Sequence, residues 1–234
     1  MDKTEEQIVQ IIDDNRSVIL EFANDVYCHG ELGYKEFRTS EKFRKFMESR
    51  TERIEDNLAI TGVKAYLNSE EKDNFSLASI GELDALRIPS HVYANPDTQA
   101  AHCCGHHAQL AGVIGAALAL TEKNISEKLN GQIVFLAAPA EELIRIGAFD
   151  DIDACIVHHI SMEGISAGTG SSNGFVSKVI TIKGKAAHAA AAKEQGVNAL
   201  SAAALGLQGL AFNRETFRDE DCVRVHPIMT KGGN

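Results

Sequence analysis

Three imidazoles and two thiols crowd into seven consecutive positions, Ala101-His102-Cys103-Cys104-Gly105-His106-His107. A cysteine and a histidine two residues apart do not share one face of a helix. In a loop that runs into a helix N-terminus they can converge on one metal ion, and the helix dipole there favours a thiolate. A buried cysteine beside solvated histidines is the plainer account, and this motif alone leaves both open. A second cluster, Pro139-Ala140-Glu141-Glu142, follows directly on the apolar run from Gln132 to Ala138. Two adjacent carboxylates at a strand's C-terminal end divide the labour of amide hydrolysis, one holding a metal while the other takes a proton from water. An acidic first helical turn accounts for the same pair. A third apolar run, Asp153 to Val157, ends in His158-His159 and delivers imidazoles to the same sheet edge. Three successive deliveries of His, Cys and Glu to one edge are harder to attribute to chance than any one of them.

The elements that position these groups follow from hydrophobic periodicity. Apolar residues from Ile8 to Val26 recur at helical spacing and predict one long amphipathic helix ended by Gly30 and Gly33. A second helix is predicted from about Thr39, with Phe43, Phe46 and Met47 on one face. Strands are predicted at 62–67, 75–80, 132–138 and 154–157, a loop at 87–101, and a buried helix at 108–120. The Gly- and Ser-rich stretch from Ser161 to Asn173 marks a domain crossing, after which the pattern reads strand (175–183), helix (197–212), strand (222–229). The fold class is therefore α/β: a mostly parallel central sheet with flanking helices over 1–171, followed by a smaller α+β domain over 172–234.

Composition narrows the function. The chain has 234 residues with 44% hydrophobic and 24% charged, the usage of a folded globular protein. Its 33 acidic against 23 basic residues leave a formal charge of −10, which repels nucleic acid and anionic membranes. The N-terminus carries no basic segment followed by an apolar one, and the longest apolar run, Leu110 to Leu120, is too short to span a bilayer, so neither export nor membrane insertion is expected. Five irregularly spaced cysteines argue against a disulfide framework and for a reducing cytoplasm.

Taken together and in order, the motifs resemble the dinuclear metal-dependent amidohydrolases and peptidases that include hippurate hydrolases, indole-acetyl-amino-acid hydrolases and aminobenzoyl-glutamate hydrolases. Glu31-Leu32-Gly33-Tyr34 with Glu36 and Thr39-Ser40 is similar to that family's early Glu-Leu-Gly segment, and Glu82-Leu83-Asp84-Ala85-Leu86 to its Asp-Ala-Leu turn. His102 to His106 is similar to its His-Ala-Cys-Gly-His signature, Pro139 to Glu142 to its Pro-Ala-Glu-Glu, and Gly184-Lys185-Ala186-Ala187-His188-Ala189 to the Gly-Lys-x-x-His-Ala of its lid domain. The resemblance implies two divalent ions, Zn or Mn, with Cys104, His106, Glu142 and His159 as ligands; His158 is the fallback for His159. It implies Glu141 as general base toward metal-activated water, and His188, supplied by the lid and often by the partner subunit of a homodimer, as the group polarising the scissile carbonyl of a small amide substrate such as an N-acyl amino acid. Three departures stand out. His107 and Gln109 replace an Asp and a second His, the stretch between Glu142 and Asp153 is short, and the chain stops at Asn234 inside the lid, so the C-terminal segment with one further His ligand is expected to be missing. A non-catalytic metal-binding or dimerising relative is the alternative these departures motivate.

Overall fold

Asp2 opens the first helix, α1 (Lys3–Asp14), by accepting hydrogen bonds from the backbone of Thr4 and Glu5 while its own backbone N–H donates to the Glu5 carboxylate, a reciprocal cap. The single long helix expected over 8–26 is broken at Asn15. Its side-chain amide donates to the Ile11 carbonyl at 2.8 Å and competes with the helical ladder, so the chain restarts as α2 (Arg16–Cys28). The computed structural model describes residues 1–68, 75–139, 142–161, 174 and 176–232. The remaining elements of the first part are α3 (Phe37–Glu48), β1 (Arg53–Leu58), β2 (Gly62–Leu67), β3 (Ser76–Glu82), β4 (Leu86–Arg87), β5 (Ala100–Ala101), α4 (His106–Leu120), α5 (Lys123–Ser126), β6 (Gln132–Ala138), α6 (Glu142–Arg145) and β7 (Ala154–Val157).

The central sheet has the order β1-β2-β6-β3-β7 and is mixed. Its β6-β3-β7 portion is parallel, with Glu82 opposite Ala138 and Ile80 opposite Val157, so three strand C-termini reach one edge. The β1 and β2 strands extend the other side antiparallel. One face carries the larger core, where Phe22, Phe43, Val63, Leu110, Ile114 and Phe135 are all but excluded from water; α4, buried along most of its length, lies across this face. The opposite face is covered more thinly, by Leu143 and Ala148 over Tyr66, Ile80 and Leu136. Lys64 is buried there and satisfied by the Ala148 carbonyl and the Asp151 carboxylate.

The chain divides into two compact units, Met1–Ile165 and Ser166–Asn234. In the second, α7 (Ala199–Arg214) starts at Asn198, whose side chain accepts from the Ser201 amide at 2.9 Å, and none of its residues is buried. The strands expected at 175–183 and 222–229 form no ladder among the described residues. A strand persists only when paired, and the pairing seen in this unit is an isolated Lys185–Val197 bridge. No described helix is long and apolar enough to cross a membrane.

Candidate metal centre

Cys104 and His106 flank Gly105, which caps the start of α4 with a φ of +87°. That backbone suits glycine on two grounds: the conformation is left-handed, and a Cβ would sit 2.4 Å from Ile160. The turn therefore brings the segment after β7 against the start of α4. Cys104 Sγ lies 3.2 Å from His159 Nε2, and the His106 and His159 rings stand edge to face with centroids 5.6 Å apart. One donor atom from each of Cys104, His106 and His159 falls within 4.8 Å of the other two.

Both imidazoles are held through the same nitrogen, Nδ1. His159 Nδ1 donates to the Ile160 carbonyl at 2.8 Å, and His106 Nδ1 faces the Asp84 carbonyl and carboxylate, each at 2.9 Å. Committing Nδ1–H in this way leaves the Nε2 lone pairs available to a cation. Thiolate and imidazole donors suit zinc and its neighbours, and this set fits a divalent ion.

The turn that carries Asp84 is braced by the early Glu-Leu-Gly segment. Ala85 donates to the Glu31 carbonyl at 2.7 Å, and Leu32 bridges Ala85. The Glu31 carboxylate caps α3 by accepting from the Arg38 and Thr39 amides and the Thr39 hydroxyl. Glu36, fully buried, accepts from Tyr34 N at 2.9 Å and Thr61 Oγ1 at 2.7 Å; burial raises its pKa. Glu82, at the end of β3, places Oε2 3.2 Å from His106 Nε2. Gln109, one turn along α4, accepts from Glu82 N at 2.7 Å and donates to Glu82 Oε2 at 3.3 Å. Sequence reasoning assigned no site role to Glu82, Asp84 or Gln109. The signal was the Glu82-Leu83-Asp84 turn itself, which puts two carboxylates at a strand C-terminus.

The electrostatics differ from expectation at Cys104. Burial and the nearby Glu82 and Asp84 carboxylates push its thiol up. A bound cation reverses this by displacing the thiol proton. Burial alone would lower His106, but hydrogen bonding to Asp84 and the charges of Asp84 and Glu82 raise it.

The other candidates are distributed differently. Glu142 heads α6 and pairs with Arg145 at 3.1 Å; it joins none of the clusters of potential donors among the described residues. Glu141 lies outside the described residues. His158 packs on α4, where a Cβ at Gly112 would be 2.1 Å from its Nε2. His102 is buried with neither ring nitrogen hydrogen-bonded among the described residues, and burial lowers it to about 4. In the second unit His188 Nδ1 accepts from the Ala190 and Ala191 amides at 3.2 and 3.1 Å, which fixes its remaining proton on Nε2 in the neutral ring.

No family profile matches the chain. It is 32% identical to the N-acetyl-L-cysteine deacetylase of Bacillus subtilis over 70% of its own length and 42% of that protein. It is 28% identical to a p-aminobenzoyl-glutamate hydrolase chain of Escherichia coli over 97% of its length, and 30% identical to an IAA-amino acid hydrolase of Arabidopsis thaliana over 89%; each match covers 50% of the relative. The chain thus spans about half the length, or less, of the curated relatives it matches. Among solved structures, a dinuclear metal-binding peptidase of the M20 family from Bacillus subtilis aligns with a TM-score of 0.52 at 27% identity, covering 61% of this chain and 42% of that one. An aminobenzoyl-glutamate utilization protein from Klebsiella pneumoniae shares the fold, with a TM-score of 0.53 at 20% identity over 67% of this chain and 47% of that one.

Proposed function

Because this chain is homologous to the dinuclear metal-dependent amidohydrolases and peptidases of the M20 type, we propose that it hydrolyses the amide bond of an N-acyl amino acid or a small peptide-like substrate. The observation that supports this reading most is the convergence of Cys104, His106 and His159 at the edge where the parallel strands end. Two divalent ions, zinc or manganese, held by Cys104, His106, His159 and Glu142, would supply Lewis acidity toward water and the scissile carbonyl. Glu142 enters that set only by giving up its pairing with Arg145. Glu141 takes the proton of the attacking water and passes it to the leaving amine. His188, with its proton on Nε2, donates to the carbonyl oxygen as negative charge develops there. We further propose that the protein works in the cytoplasm as a homodimer.

A screen of N-acyl amino acids, reading the released amino acid with zinc or manganese present, tests the proposal. Turnover that a chelator abolishes is expected, and Glu141→Gln should lower it by at least about 10²-fold with metal still bound. Metal uptake without turnover on any N-acyl amino acid would favour the non-catalytic alternative, as the Glu142–Arg145 pairing does.

A further inference from the structure

His106 has one nitrogen to offer a cation, Nε2, because Asp84 occupies the other from both its carbonyl and its carboxylate. Facing that nitrogen at 3.2 Å is Glu82 Oε2. Two donors bound to one ion through bonds of about 2.0–2.2 Å, at angles from right to tetrahedral, stand roughly 2.9 to 3.5 Å apart. The His106–Glu82 separation is therefore of the length expected for two donors on one ion, as it is for an ion pair. The 3.2 Å between Cys104 Sγ and His159 Nε2 also fits two donors on one ion, since a metal–sulfur bond of about 2.3 Å lengthens the range to roughly 3.1–3.6 Å.

The carboxylate is aimed. Gln109, itself buried, grips Glu82 at two points, its backbone N and its Oε2. An amide directs a carboxylate without cancelling its charge, whereas the Arg145 guanidinium beside Glu142 cancels it. Among the described residues, Glu82 has ion-pair contact with His106 alone. Glu82 and His106, with Asp84, form one cluster of potential donors, and His106 with Cys104 and His159 forms another, so His106 joins the two. We propose that Glu82 is a ligand of the metal centre alongside Cys104, His106 and His159, with Gln109 as its positioning residue. This rests on the metal-centre reading above.

Cobalt(II) titration of the full chain tests it, reading affinity by equilibrium dialysis and ligand identity from the visible d–d and near-ultraviolet thiolate bands. Glu82→Gln preserves shape and the backbone contact to Gln109; Glu82→Ala removes the donor outright, and circular dichroism checks that each variant folds. Both are expected to weaken cobalt binding at least tenfold. At saturation the d–d bands should move, because an oxygen donor is lost, while the thiolate band stays. Gln109→Leu should weaken binding with the saturated spectrum unchanged. Affinity and bands equal to wild type in both Glu82 variants would overturn the proposal and leave the centre standing. Weaker binding with unmoved d–d bands would make Glu82 a support of His106 and also overturn it. A wild-type chain that takes up no cobalt would overturn the centre and this ligand with it.

Discussion

His158 and His159 are adjacent, chemically identical, and sent to opposite sides of the chain. Successive side chains of an extended segment alternate faces, so the two histidines leaving β7 diverge, one packing on α4 at Gly112 and the other meeting Cys104. His159→Ala is therefore expected to lower metal content strongly and His158→Ala to leave it near wild type, as metal analysis of the purified variants would read; the reverse order would exchange their roles. Local spacing around Gly105 raises Cys104 and His106 as candidates, because a two-residue separation is a short-range feature, and the family resemblance singles them out. Glu82 and Gln109 were not legible in the same way. Their contact joins a strand end to a helix 27 positions later and depends on how α4 lies against β3. His102 shows the same limit: nothing in its spacing announces a buried imidazole with both nitrogens unpartnered among the described residues.

Elements with strong periodicity were legible, and those without it were not. The apolar face of α3, the apolar run of α4 and those of β2, β3, β6 and β7 all appear near their expected places. The β1 strand was missed because Arg53–Leu58 offers only Ile54 and Leu58 as apolar residues along a half-exposed segment. Between α2 and α3 the contact is polar. Asp25 accepts two hydrogen bonds from Arg38 Nη2, at 2.7 and 2.9 Å, and one from Lys42 at 2.7 Å. Arg38 foremost, then Lys42, depress its pKa from 3.8 to about 2. A depressed carboxylate stabilises the fold above its unfolded pKa, and the contribution is lost as pH falls through the folded value. Asp25→Asn should thus cost about 1 kcal/mol or less at pH 7, the scale of a pair partly open to water. The cost should shrink below 3.8 and vanish below about 2. Urea denaturation of both proteins across this range measures it, and a cost independent of pH would contradict the assignment.

At the scale of the whole molecule, the proposed chemistry rests on the ends of the parallel strands and the proposed assembly on the second unit. The strand order β1-β2-β6-β3-β7 could not be read from local pattern, since it depends on which distant segments pair. In the second unit α7 exposes Leu205 and Phe212, 72% and 73% accessible and two helical turns apart on one face. Apolar surface of that kind tends to be covered in solution. Sedimentation equilibrium should therefore find a dimer that Leu205→Glu with Phe212→Glu shifts toward monomer; a wild-type chain that is strictly monomeric would contradict the dimer. The account as a whole stands on one thiolate holding a metal ion at the start of α4. X-ray absorption at the zinc edge of the loaded chain reads this directly: a sulfur neighbour at about 2.3 Å and nitrogen or oxygen neighbours at about 2.0–2.2 Å are expected. The sulfur signal should persist in Cys103→Ala and disappear in Cys104→Ala. A shell without sulfur in the unaltered chain, or one that loses its sulfur in Cys103→Ala and keeps it in Cys104→Ala, would contradict the centre described here.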